Sequence, residues 1–349
     1  MPIPVVWSSE TRRHEPMREV WVGVPTDGTE VPLRVDRILD ALADHPRVDA
    51  QAHDDDVLRR VHAPELVDHL ATIHAVWMEG PYEELVGQDR VVPYVFPTAA
   101  MTQGMPPTRA AATHGRAGQF GYDTMTLVGP GTWEAARAAV DCALTAADLV
   151  TRDGEATAYA LCRPPGHHAT RDGYGGSCYL NNTAVAAQAL RDSGHATVAV
   201  VDLDAHHGNG TQAIFWGRGD VRYASLHVDP AAGWFPHYFG HAHETGAGAG
   251  AGATKNLPLA EGTGDGPWLD AVRELSDFAA GAHALVVSLG VDAAADDPES
   301  PLQVTADGYA VAGRLLGSLG LPAVVVQEGG YHLDTIGGLV AAYLDGHAG

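Results

Sequence analysis

The run Val198-Ala-Val-Val-Asp-Leu-Asp-Ala-His-His-Gly-Asn-Gly210 constrains this chain more than any other. Four apolar residues, three of them valine, read as a buried strand that runs straight into acid and imidazole. Alternate side chains of a strand share a face, so Asp202, Asp204 and His206 point the same way past its end. Open α/β sheets hold their ligands in the crevice at the C-terminal ends of the strands. Two carboxylates and an imidazole gathered there are costly to bury without a cation. Asp204 and His206 therefore read as two ligands of a divalent metal that takes its third from elsewhere in the chain.

From about residue 133 the sequence alternates helical and strand-like segments. Trp133–Leu149 is an Ala-rich helix with Thr132 at its N-cap. Ala158–Cys162 reads as a strand, and Asn182–Ser193 as a helix capped by Asn181 or Asn182 and stopped at Gly194. Strands at 197–201, 224–227, Ala284–Leu289 and Ala323–Gln327 alternate with helices at 268–280, 306–319 and 334–345. This order predicts an α/β fold, a single domain over 1–349 with a mainly parallel central sheet covered by helices on both faces. The first third is less regular. Leu33–Ala43 and Pro64–Met78 look helical, and a loop-rich insertion rich in Pro, Gly and Thr follows at about 80–131.

Composition narrows the function classes. No apolar run approaches the ~18 residues that span a bilayer, so no membrane partner is expected. The first residues lack a basic stretch followed by an apolar core, so no secretory leader is expected. Cys142, Cys162 and Cys178 are an odd set without a C-x-x-C pair, which suits a reducing cytoplasm rather than disulfides or a thiolate zinc site. The net charge of −23 repels nucleic acid and favours a small cationic partner. Of nineteen histidines, His45, His53, His69 and His74 lie in polar contexts and are expected at the surface. The Gly/Ala alternation at Gly246–Gly252 is a flexible loop, since no strand–helix order makes it a phosphate cradle.

The third ligand is expected at Asp292, just past the apolar run Val286-Val-Ser-Leu-Gly-Val291. An Asp–His–Asp set leaves a coordination position open, as catalytic sites do. It suits Zn²⁺ and also accommodates Fe²⁺ or Co²⁺. His167 and His168 follow a Pro-Pro-Gly turn and could act as base and acid on a water that the metal activates. Asp202, one step deeper on the ligand face, is placed to orient an imidazole. Tyr331 follows two glycines at another strand end, where its hydroxyl could hold a developing oxyanion.

Several motifs then stand in order: Arg163-Pro-Pro-Gly-His-His168, Asn181-Asn182, Asp202–Gly210, Ser225-Leu-His227, Phe235-Pro236, Ser288–Asp292 and Glu328-Gly-Gly-Tyr331. Together they resemble the histone deacetylase-like amidohydrolases of the arginase–deacetylase superfamily. Gly129-Pro-Gly-Thr-Trp-Glu134, Asp229-Pro230 and His243-Glu-Thr-Gly246 bring the chain nearest to the bacterial acetylpolyamine amidohydrolases. The resemblance implies zinc on Asp204, His206 and Asp292, the His167–His168 proton-transfer pair, and Tyr331 as oxyanion donor. It also implies a structural K⁺ on Asp202, the Ser225 hydroxyl and the carbonyls of Asp204, His206 and Leu226. Asn209 is then a neutral orienting partner for His168. The 80–131 segment, with Val91, Val92, Tyr94, Val95 and Phe96, is expected to narrow the mouth and to join a homodimer.

Departures from the family pattern bear on the substrate. Ser177, after Gly176, stands where an aromatic usually lines the acyl tunnel opposite Phe235, so that wall is expected to be wider and more polar. Ala117 replaces an acid associated with polyamine recognition, whereas Glu19 keeps another. Glu299, seven residues past Asp292, replaces an apolar rim residue and is expected to select cationic amines. The expected reaction is removal of acetyl from N-acetylated polyamines or related alkylamines. The alternatives are a protein lysine deacetylase, which the long 80–131 segment opposes, and a deacylase of a natural-product intermediate, which Ser177 could permit. An acyl-amine-binding protein without turnover would lack a ligand or the tyrosine, and this chain has all of them.

Overall fold

A computed structural model describes residues 2–80, 89–106 and 108–349; residues 81–88 and 107 of the expected 80–131 insertion lie outside the described residues. The valine-rich runs form the centre of the molecule. Ten strands occur among the described residues: β1 (Val5–Trp7), β2 (Arg18–Trp21), β3 (Val24–Asp27), β4 (Arg47–Asp49), β5 (Thr157–Ala160), β6 (Val198–Asp202), β7 (Val221–Val228), β8 (Thr254–Leu259), β9 (Ala284–Leu289) and β10 (Ala323–Gln327). Eight make one sheet in the order β4-β1-β5-β10-β9-β6-β7-β8, and every neighbouring pair is parallel. β2 and β3 form a separate antiparallel hairpin.

β6, β9 and β10 are buried along their whole length, which is why they read as unbroken apolar runs rather than alternating ones. Their successive side chains serve two cores. Val198 and Val200 pack on one face with helices Pro64–Met78, Thr132–Thr151 and Asn182–Asp192. Ala199 and Val201 pack on the other with Leu33–Ala41, Asp265–Ala279, Ala306–Gly317 and Ile336–Ala348. Among the described residues, no helix is long and apolar enough to cross a membrane.

Helix Pro64–Met78 and strands β9 and β10 have the bounds the pattern predicts. β1 and β4 have only three residues each, too few to show a period, and β8 is a polar edge strand carrying Lys255, Asn256 and Pro258. Gly131, with φ 76°, caps the helix expected to start from Thr132. The Thr132 hydroxyl instead accepts from Gly129 N at 2.9 Å and faces His14 Nδ1 at 2.9 Å. Directly after the acid–imidazole run, Asn209 opens a short helix to Phe215. His69 is fully buried, its ring 4.9 Å from Phe120 and stacked at 6.1 Å on Tyr174, because it lies on the apolar stripe of its helix with Leu66, Leu70 and Ile73. His45, His53 and His74 are half-buried.

Candidate active site

A parallel sheet delivers all its strand ends to one edge, so the loops after β5, β6, β9 and β10 converge. Asp202 is in register with Ser225 of β7 and Ser288 of β9. Just beyond that register the donor atoms of Asp204, His206 and Asp292 lie within 4.8 Å of one another. His206 Nδ1 stands 2.9 Å from Asp292 Oδ2 and 3.2 Å from Asp204 Oδ1. Backbone amides hold the carboxylates: Ala205 N donates to Asp292 Oδ1 (2.8 Å), Gly329 N to Asp204 Oδ2 (2.8 Å) and His206 N to Asp204 Oδ1 (2.9 Å). A Cβ on Gly329 would lie 2.5 Å from Asp292 Oδ2 and 2.6 Å from Asp204 Oδ2, so only glycine lets the chain close over the pair.

Burial, then the charge of Asp204, pushes Asp292 up to about 8. Two buried carboxylates this close cannot both ionise without positive charge beside them. Two carboxylate oxygens and one imidazole nitrogen, open on one side to a cleft, fit a divalent ion with a free coordination position.

The histidine pair stands beside this cluster, ring centroids 4.0 Å apart. His167 Nδ1 is 3.1 Å from Asp202 Oδ2, which also accepts from the Tyr223 hydroxyl at 3.1 Å. His168 Nδ1 is 2.7 Å from Asn209 Oδ1. The loop carrying both is anchored by Glu328, fully buried just after β10. Its Oε2 accepts from Gly166 N (2.6 Å) and His167 N (3.1 Å), and its Oε1 from the Thr183 and Ser288 hydroxyls (2.8 and 3.1 Å). Burial opposes a charge on His167, but Asp204 and Asp202 outweigh it and push the ring up to about 10. Burial, then the positive charges of His167 and His206, holds His168 well below the usual imidazole range. An amide oxygen only accepts, so the neutral His168 keeps its proton on Nδ1 and a lone pair on Nε2.

Tyr331 N donates to Asp297 Oδ2 at 2.7 Å, and the Arg34 guanidinium lies 4.9 Å over the Tyr331 ring. Arg34 Nε and Nη2 donate to the carbonyls of Gly330 and Glu328, each at 2.6 Å. Burial pushes the Tyr331 phenol well above its usual range, so it remains a donor at neutral pH.

His168, His206 and Tyr331 form the floor of a cleft of about 470 Å³. Its walls are Met125, Gly176, Ser177 and Phe235, and its rim is Glu19, Thr29 and Glu299. The fold thus brings Glu19, Gly176, Ser177, Phe235 and Glu299 to one cleft, whereas Ala117, which stands in place of an acid, is fully buried in the core and does not line it. Gly176 has φ 58°, and a Cβ there would meet His168 Cδ2 at 2.5 Å and Phe235 Cε1 at 2.8 Å. Phe235 stands edge-on to His168 at 4.7 Å. Ser177 faces it without an aromatic ring, its N–H on Thr126 Oγ1 at 2.8 Å. Glu299 Oε1 accepts from the Thr29 hydroxyl at 2.9 Å. Burial, then the Glu299 carboxylate, pushes Glu19 up to about 8. Ser225 and Leu226 are buried on β7, with Ser225 Oγ 2.8 Å from His227 Nδ1.

Sequence reasoning gave no role to Glu328, Tyr223, Arg34, Asp123 or Asp297. Glu328 follows a valine run much as Asp202 ends one, so the same signal was available. Arg34 interrupts the apolar stripe Val35, Ile38, Leu39, Leu42, the mark of a buried cation with partners. Asp123, which accepts from Gly176 N at 2.6 Å, carries no such signal because its loop has no period.

Residues 29–346 match the family model described as Histone deacetylase domain. The acetylpolyamine amidohydrolase of Mycoplana ramosa is 40% identical over 352 residues, 99% of each chain. That of Burkholderia pseudomallei is 43% identical over 280 residues, 79% of this chain and 78% of the relative. A crystal structure of acetylpolyamine aminohydrolase from Burkholderia pseudomallei superposes with a TM-score of 0.91 at 38% identity, covering 99% of this chain and 98% of that one. The chain belongs to the histone deacetylase domain family, and it is a hydrolytic deacetylase.

Proposed function

We propose that the protein removes acetyl from N-acetylated polyamines or related alkylamines in the cytoplasm, using a zinc-type divalent ion. The observation that carries this reading is the cleft: two acids, Glu19 and Glu299, stand at the rim above a floor of His168, His206 and Tyr331. The names of the relatives point the same way. Three buried cysteines without disulfides suit a reducing compartment.

Asp204, His206 and Asp292 would hold the metal, which when bound polarises the amide carbonyl and acidifies a water. His168 Nε2 accepts the proton of the attacking water, since its Nδ1–H is committed to Asn209. The same nitrogen returns that proton to the amine as the C–N bond breaks. His167, fixed by Asp202, keeps positive charge behind His168. The Tyr331 hydroxyl donates to the developing oxyanion. Phe235 packs along the alkyl chain, and Glu299 and Glu19 receive a distal ammonium. The buried Asp202 carboxylate beside Ser225 suits a structural K⁺. A homodimer would cover Tyr94, Met101 and Met105, which are exposed in the 89–131 region. Val91 is not available to it, being buried in a bridge to Val128.

The test is turnover of acetylspermidine, acetylputrescine and acetylcadaverine against an acetyl-lysine peptide by the metal-loaded protein. A hydrogen bond to a charged partner is worth roughly 1.5–3 kcal/mol, so the free amines should lead by about one to two decades in kcat/KM. A peptide turned over faster than all three amines would overturn the reading.

A further inference from the structure

Asp296, Asp297 and Glu299 stand within four positions of one another in the sequence. The fold separates them. Asp296 is exposed, Glu299 faces the cleft, and Asp297 between them is only 7% exposed. The Asp297 carboxylate accepts three backbone N–H bonds. Its Oδ1 takes Glu299 N at 3.0 Å, and its Oδ2 takes Tyr331 N at 2.7 Å and His332 N at 3.3 Å. Glu299 belongs to the loop after β9 and Tyr331 to the loop after β10, so one buried carboxylate ties the rim acid to the floor phenol. Bonds from N–H to a charged, desolvated acceptor are the strong ones. The other side-chain links between these loops are weaker and more exposed: Thr335 Oγ1 to Asp296 at 3.3 Å and His332 Nδ1 to Asp296 at 3.7 Å.

We infer that Asp297 is a positioning residue that sets the Tyr331 hydroxyl and the Glu299 carboxylate as one unit. The inference rests on the roles proposed above for those two residues. Its chemistry depends on two acceptor oxygens. An asparagine offers one oxygen and one NH₂ group, so one of the two segments must face a donor with a donor and be released. Recognition of the cationic arm and polarisation of the carbonyl then share a single anchor, and damage to it shows in both.

Two double-mutant cycles on the metal-loaded enzyme test this, with metal content and melting temperature measured for every variant. Asp297→Asn should lower kcat about tenfold on acetylputrescine and on a neutral acetylated alkylamine, the middle of the range for coupled neighbours. It should also lower the cationic-to-neutral ratio of kcat/KM by about threefold or more. In a Tyr331→Phe background the same change should cost kcat less than about twofold, and in a Glu299→Gln background it should leave the ratio within about twofold. Equal losses in the presence and absence of the two partner groups would overturn the inference. So would an Asp297→Asn enzyme with normal kcat and ratio, even one that melts earlier. If Asp297→Asn does not fold, Asp297→Glu, which keeps the charge and displaces it by one methylene, is taken through the same cycles with the same criteria. A Glu299→Gln enzyme with an unchanged ratio sinks the substrate reading instead, and the Tyr331 cycle then decides alone whether Asp297 positions the phenol.

Discussion

The floor and the rim of the cleft are built by different means. Every floor residue sits on the loop that leaves the C-terminal end of a parallel strand: His168 after β5, Asp204 and His206 after β6, Asp292 after β9, Tyr331 after β10. The sheet itself brings them together. The rim is assembled from pieces with no such common frame: Glu19 on the β2–β3 hairpin, Thr29 beyond it, Met125 in an irregular loop, and Glu299 far along the loop that follows β9. Side-chain carboxylates staple these pieces, Asp123 under Gly176 and Asp297 under Glu299. A floor fixed by backbone register should fail completely when a ligand is lost, whereas a stapled rim should fail by degrees and selectively.

The largest effect should follow loss of a floor ligand. Asp204→Ala or His206→Ala is expected to abolish metal retention and activity together, read by elemental analysis beside kinetics. A variant that turns over at a normal rate without metal would remove the cluster from the reaction. Tyr331→Phe tests the floor more gently. It should retain its metal and lose about 10²–10³ in kcat, the effect of one missing oxyanion donor. Near-normal kcat would exclude the phenol from the chemistry.

The same contrast explains what was legible in the sequence. Val198–Val201 followed by Asp202, Asp204 and His206 announces a buried strand end with polar side chains on one face, and pattern alone recovers that. Asp292 and Tyr331 follow by the same logic, as does the β6–β9–β10 centre of the sheet. The hairpin Arg18–Asp27 did not show, because exposed Val22 and Val24 beside Pro25 carry no alternation that a core would impose. Glu19, Ser177 and Glu299 were named only through the family resemblance. Their convergence depends on loop–loop hydrogen bonds such as Thr29 to Glu299, which link residues far apart in the chain and leave no period to read. His69 reads as a surface residue for a related reason: the adjacent Asp68 conceals its place on an apolar helical stripe.

At the rim, Glu299→Gln should reduce kcat/KM for acetylputrescine by about one to two decades, the worth of a charge-assisted hydrogen bond. A neutral acetylated alkylamine of matching length should lose much less. The penalty should shrink with added salt, because the cleft is open to solvent. Equal losses on both substrates would make Glu299 a structural residue and would erase the distinction between floor and rim.

The smallest effect concerns pH and isolates the rim from the floor. Burial, then the facing Glu299 carboxylate, pushes Glu19 up to about 8. Below that pH it is a neutral acid and offers a distal ammonium little; above it the rim gains a second negative charge. An alkylammonium stays protonated to about pH 10, so attraction should strengthen as pH rises from about 7 to 9, not weaken. A half-exposed ion pair worth about 1 kcal/mol makes this a rise of about fivefold in the cationic-to-neutral ratio of kcat/KM. Taking the ratio cancels the titrations of the floor, which act on both substrates alike. Glu19→Gln should flatten the rise while leaving the Glu299 preference in place. A ratio that stays level or falls across that window in the unmodified enzyme would mean that Glu19 does not meet the substrate's charge, and that the rim selects through Glu299 alone.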